Sequence, residues 1–106
     1  MRITLNHLEC QIETLNHLTG QPKKPYHIAK EGIVSNVGNY HLAGEYGGYK
    51  LEQIVNKRGA VAEITQFRMT KKELYYTIHA MNNLLRSQNK VGGFVVRQNG
   101  RALDAR

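Results

Sequence analysis

Ile33–Thr65 reads IVSNVGNYHLAGEYGGYKLEQIVNKRGAVAEIT. Short runs of Val, Ile, Tyr and Leu alternate with Gly and Asn every few residues. β-Branched and aromatic side chains suit a pleated, half-buried surface, while Gly and Asn tolerate the positive φ angles of tight turns. The spacing predicts strands near 33–37, 39–45, 48–56 and 60–65. Gly47-Gly48 predicts one hairpin turn. Asn56-Lys57-Arg58-Gly59 predicts another, with Gly59 left-handed. The stretch is therefore expected to form an antiparallel β-meander of three to four strands.

The flanks are helical. Downstream, Thr70-Lys71-Lys72-Glu73 is a capping box, in which Thr70 holds one backbone N–H and Glu73 reaches back to another. Leu74, Ile78, Met81 and Leu85 follow at four, three, four spacing, one apolar stripe of a helix expected over 71–88 and ended by Asn89 to Gly93. Upstream, Leu5, Leu8, Ile12 and Leu15 make a similar stripe, with Thr4 as cap and Gly20 with Pro22 as the stop. Residues 21–31 contain two prolines and three lysines and read as a connector, anchored by Tyr26 and Ile28. The order helix, meander, helix predicts an α+β fold with both helices packed on one face of the sheet.

Residues 1–90 form the single expected domain. Residues 91–106 are a basic tail, in which Phe94-Val95-Val96-Arg97 precedes Asn99-Gly100, a strong hairpin signal. A short terminal hairpin and a single strand added to another subunit's sheet are both compatible with it. A thin core in 106 residues and an unpartnered β-prone segment at 94–98 lead us to expect a homo-oligomer.

Apolar residues make up 41% and charged residues 22%, which excludes a disordered chain. No apolar run approaches the roughly 20 residues of a membrane span. Asn6, His7 and Glu9 interrupt the apolar stretch a signal peptide would need, so the expected location is the cytoplasm. The single cysteine excludes an intrachain disulfide. The net charge of +7 is uneven: residues 1–67 hold seven cations and six anions, whereas residues 68–106 hold eight and two. Such an imbalance points to an acidic partner, either a protein surface or a nucleic acid or nucleotide, and excludes a DNA mimic.

Arg68, Lys71 and Lys72 stand where the helix dipole is positive, a placement that costs each cation ~0.3–1 kcal/mol. With free backbone N–H groups they would hold a phosphate or a carboxylate. The alternative is that the capping box satisfies the helix end and the lysines point into water. Tyr75, His79, Asn82 and Arg86 form a polar-aromatic stripe about 100° from the apolar one. It is either a partner-binding face or a flank half covered by the sheet. Tyr46 and Tyr49 offer stacking faces beside Gly44, Gly47 and Gly48, or else ordinary sheet packing; the three glycines read as turn residues. No phosphate-cradling loop or nucleophile signature is present. Cys10 and His17 lie two helical turns apart, ~10 Å, too far for one zinc ion, which leaves only His7 with Cys10 and no metal site. No cofactor is expected.

Gly38-Asn39-Tyr40-His41-Leu42, Tyr46-Gly47-Gly48-Tyr49-Lys50-Leu51 and Lys71-Lys72-Glu73-Leu74-Tyr75 resemble a group of short uncharacterised proteins from tailed phages and prophages. The resemblance covers residues 1–88 and implies origin rather than chemistry. Small accessory proteins of that kind bind and block host factors, defence systems among them. The resulting expectation is a non-enzymatic binding protein acting through a basic surface. The alternative is a nucleic-acid- or nucleotide-binding module, and the third reading is a small enzyme.

Overall fold

The computed structural model describes residues 2–45, 47–65 and 67–92. Its elements run α1 (Leu5–Thr19), β1 (Tyr26–Ala29), β2 (Gly32–Ser35), β3 (Tyr40–Glu45), β4 (Gly48–Ile54), β5 (Val61–Glu63) and α2 (Lys71–Gly92). Helices at both ends of a run of antiparallel strands make this an α+β fold, as the sequence predicts.

Thr4 caps α1, and its partner in the box is His7 rather than a carboxylate. Thr4 Oγ1 accepts the His7 N–H at 3.3 Å, and His7 Nδ1 accepts the Thr4 N–H at 2.9 Å. Gly20 closes the helix at φ +70, its N–H directed to the carbonyls of Asn16 and His17. Leu8, Ile12 and Leu15 are buried, but Leu5 is 44% exposed, and Ile3 ahead of the helix takes its expected place in the core. At the other end of the chain, Thr70 N–H donates to Glu73 Oε1 at 2.9 Å and Glu73 N–H to Thr70 Oγ1 at 3.1 Å, the expected box of α2. That helix passes the expected end at 88 and runs to Gly92, the first glycine after the apolar stripe.

The meander divides into two sheets, β1-β2 and β3-β4-β5, each antiparallel. The expected connector thus holds a strand, and the segment after Gly32 pairs back onto it instead of onto β3, with Ile28 opposite Ile33. Pro22 and Pro25 break the chain just ahead of β1 and hide its strand pattern from a reading along the sequence. Tyr26 and Ile28 do not anchor this segment; they are 57% and 84% exposed. Asn36 ties it down instead: its N–H donates to the Pro25 carbonyl at 2.8 Å and its Nδ2 to the Lys24 carbonyl at 3.0 Å.

In the larger sheet Leu42 faces Leu51 and Gly44 faces Tyr49. Gly44 is therefore a strand residue and not a turn residue. A Cβ there would stand 2.6 Å from the Tyr49 ring, so the glycine makes room for the tyrosine to lie across the strand. Gly48 begins β4 at φ +118, with the Met69 carbonyl oxygen 2.6 Å from where its Cβ would be. Both the turn and the close approach of residue 69 require glycine here.

Strand alternation sends Tyr40, Leu42, Tyr49 and Leu51 to the helices and His41, Lys50, Glu52 and Glu63 to the opposite face. There Lys50 Nζ stands 2.5 Å from Glu63 and 3.8 Å from Glu52, and His41 Nε2 lies 3.3 Å from Glu52. The Lys50 hydrogen bond and charge hold the Glu63 carboxyl below its ordinary range. Burial pushes the Tyr40 hydroxyl up.

Ile3, Leu8, Ile12, Leu15, Leu51, Leu74 and Ile78 form one core between the helices and the sheet. α1 packs on β3, α2 on β4, and the helices on each other. Asn16, 2% exposed, keys α1 to the sheet: its Oδ1 accepts the Tyr40 N–H at 2.8 Å and its Nδ2 donates to the Tyr40 carbonyl at 3.0 Å. No described helix is long and apolar enough to cross a membrane. The strand or hairpin expected after residue 93 lies outside the described residues.

Candidate binding face on the helix seam

The two helices run parallel. His7 meets Tyr75, Gln11 meets His79 and Asn82, and Glu13 to His17 share a cavity with Arg86. The polar-aromatic stripe of α2 is thus covered in part by α1. Lys71 precedes Tyr75 by four residues and extends the stripe by one turn.

At the centre of the stripe Tyr75 and His79 stack, with ring centroids 6.0 Å apart and planes 7° from parallel. His7 stands edge-on to Tyr75 at 6.2 Å, and Tyr76 stands edge-on to it at 5.1 Å. The amides of Gln11 and Asn83 bracket the His79 ring, 3.2 Å from Nδ1 and 3.3 Å from Nε2. Both contacts are made by amide nitrogens, and a neutral imidazole, with one acceptor nitrogen, accepts from one of them. Arg86 continues the chain by donating to Asn83 Oδ1 at 3.2 Å. Asn82 is fully buried beneath, where its Nδ2 donates to the Gln11 carbonyl and side chain at 3.0 and 2.8 Å.

Beyond Arg86 a cavity of about 560 Å³ is lined by Glu13, Thr14, His17, Lys23 and Arg86. Lys23 is 3.0 Å from Glu13. Two permanent cations and a histidine share this end of the seam with one carboxylate.

Arg68, Lys71 and Lys72 gather at the opposite end. Arg68 donates to the Gly48 carbonyl at 3.3 Å, and its charge also reaches Glu63. It is therefore engaged with the β3–β4 turn and is not aimed along the helix with the lysines. Fifteen residues separate Lys71 from Arg86, roughly 22 Å of helix, so the expected cations form the two ends of a stripe and not one pocket. Tyr49 is half-buried against the core, with its ring across Gly44; Tyr46 lies outside the described residues.

His7, Gln11, Asn83, His17 and Lys23 are absent from the sequence-predicted set. One signal for them was Asn82-Asn83 within a helix, where asparagine is a poor former and invites a side-chain reason. Among the described residues no group of three or more His, Cys, Asp or Glu side chains is arranged to hold a metal ion. No protein-family model, curated protein or solved structure matches the chain.

Proposed function

We propose that this chain is a non-enzymatic accessory protein of phage or prophage type that binds and blocks a host factor in the cytoplasm. It engages an acidic surface through the exposed side of α2 and its seam with α1. The observation that carries this reading is the Tyr75–His79 stack, flanked by the Gln11 and Asn83 amides, with Lys71 and Arg86 at the two ends of its stripe. A rigid aromatic centre between cations suits a protein surface rich in carboxylates. α2 carries four cations and one carboxylate over Lys71–Gly92, which sets the sign of the partner.

Self-association belongs to this reading. Ile28 and Ile33, 84% and 73% exposed, face one another on a two-stranded hairpin, a unit that is marginal alone in water. Light scattering at micromolar concentration is expected to give at least a dimer, and a monomeric mass would remove this part of the proposal.

A nucleic acid is the second candidate partner, because aromatic rings between cations also suit stacked bases. Affinity capture from bacterial lysate separates the readings. The comparison is wild type, Lys71→Gln with Arg86→Gln, and a control of Lys57→Gln with Arg58→Gln in the exposed β4–β5 turn. One saturable protein partner kept by wild type and control but lost by the seam variant is expected. Capture abolished by nuclease would transfer the site to nucleic acid. Equal capture by all three forms would show that only net charge matters.

A further inference from the structure

The capping box of α1 has an ionisable member. In the usual pattern a Glu or Gln three residues after the cap accepts the N–H of the cap residue. In α1 the acceptor is His7, whose Nδ1 takes the Thr4 N–H at 2.9 Å. A backbone N–H only donates, so Nδ1 must offer a lone pair and the proton of the neutral ring belongs on Nε2. An imidazolium carries a proton on both nitrogens, and two N–H groups would then oppose one another across this contact. The Thr4 hydroxyl, 3.2 Å from Nδ1 and already accepting the His7 N–H, leaves that opposition in place.

No contact compensates the charge. His7 stands in the first turn of α1, at the positive end of the helix dipole, and that turn holds no carboxylate. Arg2 lies ahead of the cap and Glu9 and Cys10 follow within a turn, but among the described residues none of the three pairs with the ring. From α2 the ring meets Tyr75, with His79 stacked on that tyrosine and Lys71 one turn earlier on the same stripe.

The backbone here is secured independently. Ile3 and Leu8, on either side of the box, are 5% and 0% exposed in the core, and they occupy the two staple positions of a helix start. Protonation therefore displaces the half-buried His7 ring and not the helix.

We infer that His7 is a proton-operated latch between the start of α1 and Tyr75 of α2. Neutral, the ring holds the Thr4 N–H and stands edge-on to Tyr75; protonated, it leaves both and uncovers the α1 side of the tyrosine. The latch does not rest on the function proposed above.

The test compares the full chain with His7→Gln, because glutamine keeps an acceptor at this position of the box and does not titrate. Nitrogen NMR of the wild type at about pH 8 should find the neutral His7 ring protonated at Nε2. On acidification to about pH 5 the nuclear Overhauser contact between His7 and Tyr75 should vanish in step with the His7 ring signals. The cap bond contributes in full above the range in which histidine titrates and is gone below it. Over that range the wild type should therefore lose about fivefold in its folding equilibrium constant relative to His7→Gln, measured by urea denaturation. A neutral ring protonated at Nδ1 would overturn the latch. So would a His7–Tyr75 contact that survives protonation of His7, or a folding equilibrium with the same pH dependence in both proteins.

Discussion

Replacing Asn16 with alanine should damage this protein more than its polarity suggests. The side chain is 2% exposed and makes two hydrogen bonds to one peptide group of an edge strand. Alanine removes both and leaves the Tyr40 N–H and C=O facing the base of α1. A net hydrogen bond is worth about 1 kcal/mol, and a buried polar group left unpaired costs about 1–3 kcal/mol. Water entering from the neighbouring cavity recovers part of the loss, so the expected cost is about 2–4 kcal/mol. With a urea slope of about 1.5 kcal/mol/M, a cost of about 3 kcal/mol lowers the midpoint by about 2 M. The comparison is Thr14→Ala on the same helix, which loses only a hydroxyl bond to the Cys10 carbonyl at 3.0 Å and should stay within about 0.5 kcal/mol of wild type. Amide exchange gives a second readout: Tyr40 should be protected in wild type and exchange faster in the variant relative to its strand neighbours. If Asn16→Ala costs no more than Thr14→Ala and Tyr40 protection is unchanged, the carboxamide does not hold β3 and the reasoning fails.

Thr70→Ala should cost about 1 kcal/mol, because it removes the side-chain half of the α2 capping box; an unaltered denaturation midpoint and slope would refute this. Gly44→Ala should cost about 1–3 kcal/mol by driving a methyl group into the Tyr49 ring, and most of that loss should vanish in a Tyr49→Ala background. Strict additivity of the two changes would show that the ring is not the obstacle. The Glu63 carboxyl, lowered by Lys50, has a folded-state pKa beneath its unfolded value. Its contribution is full above the unfolded pKa and fades as pH falls through the folded one. Glu63→Gln should therefore lose stability relative to wild type at neutral pH and converge with it on acidification below the ordinary carboxylate range. A difference independent of pH would refute the pairing.

Much of the candidate face was legible in pieces. Tyr75, His79 and Arg86 were visible because helical spacing is a property of the chain alone. Their partners were not, since His7 and Gln11 lie more than sixty residues away and meet them only when α1 packs beside α2. The same limit applies to Arg68. In sequence it stands with Lys71 and Lys72, but the return of the chain past Gly48 draws its guanidinium to that carbonyl.

By itself the sequence determined both helices, their caps at Thr4, Gly20 and Thr70, the Gly47-Gly48 turn and the sign of the charge on α2. Each follows from local backbone chemistry or from spacing along a single helix. Tertiary structure alone decided that the strands split into two sheets, that Ile3 replaces Leu5 in the core, and that Gly44 serves the ring of Tyr49. It also decided that Asn16 completes a strand edge from a helix. These outcomes depend on which segments come to lie side by side. Pairing partners compete across long stretches of chain, and the winner is set by the combined burial of Leu51, Leu74 and Ile78 against α1, a quantity that no local window contains.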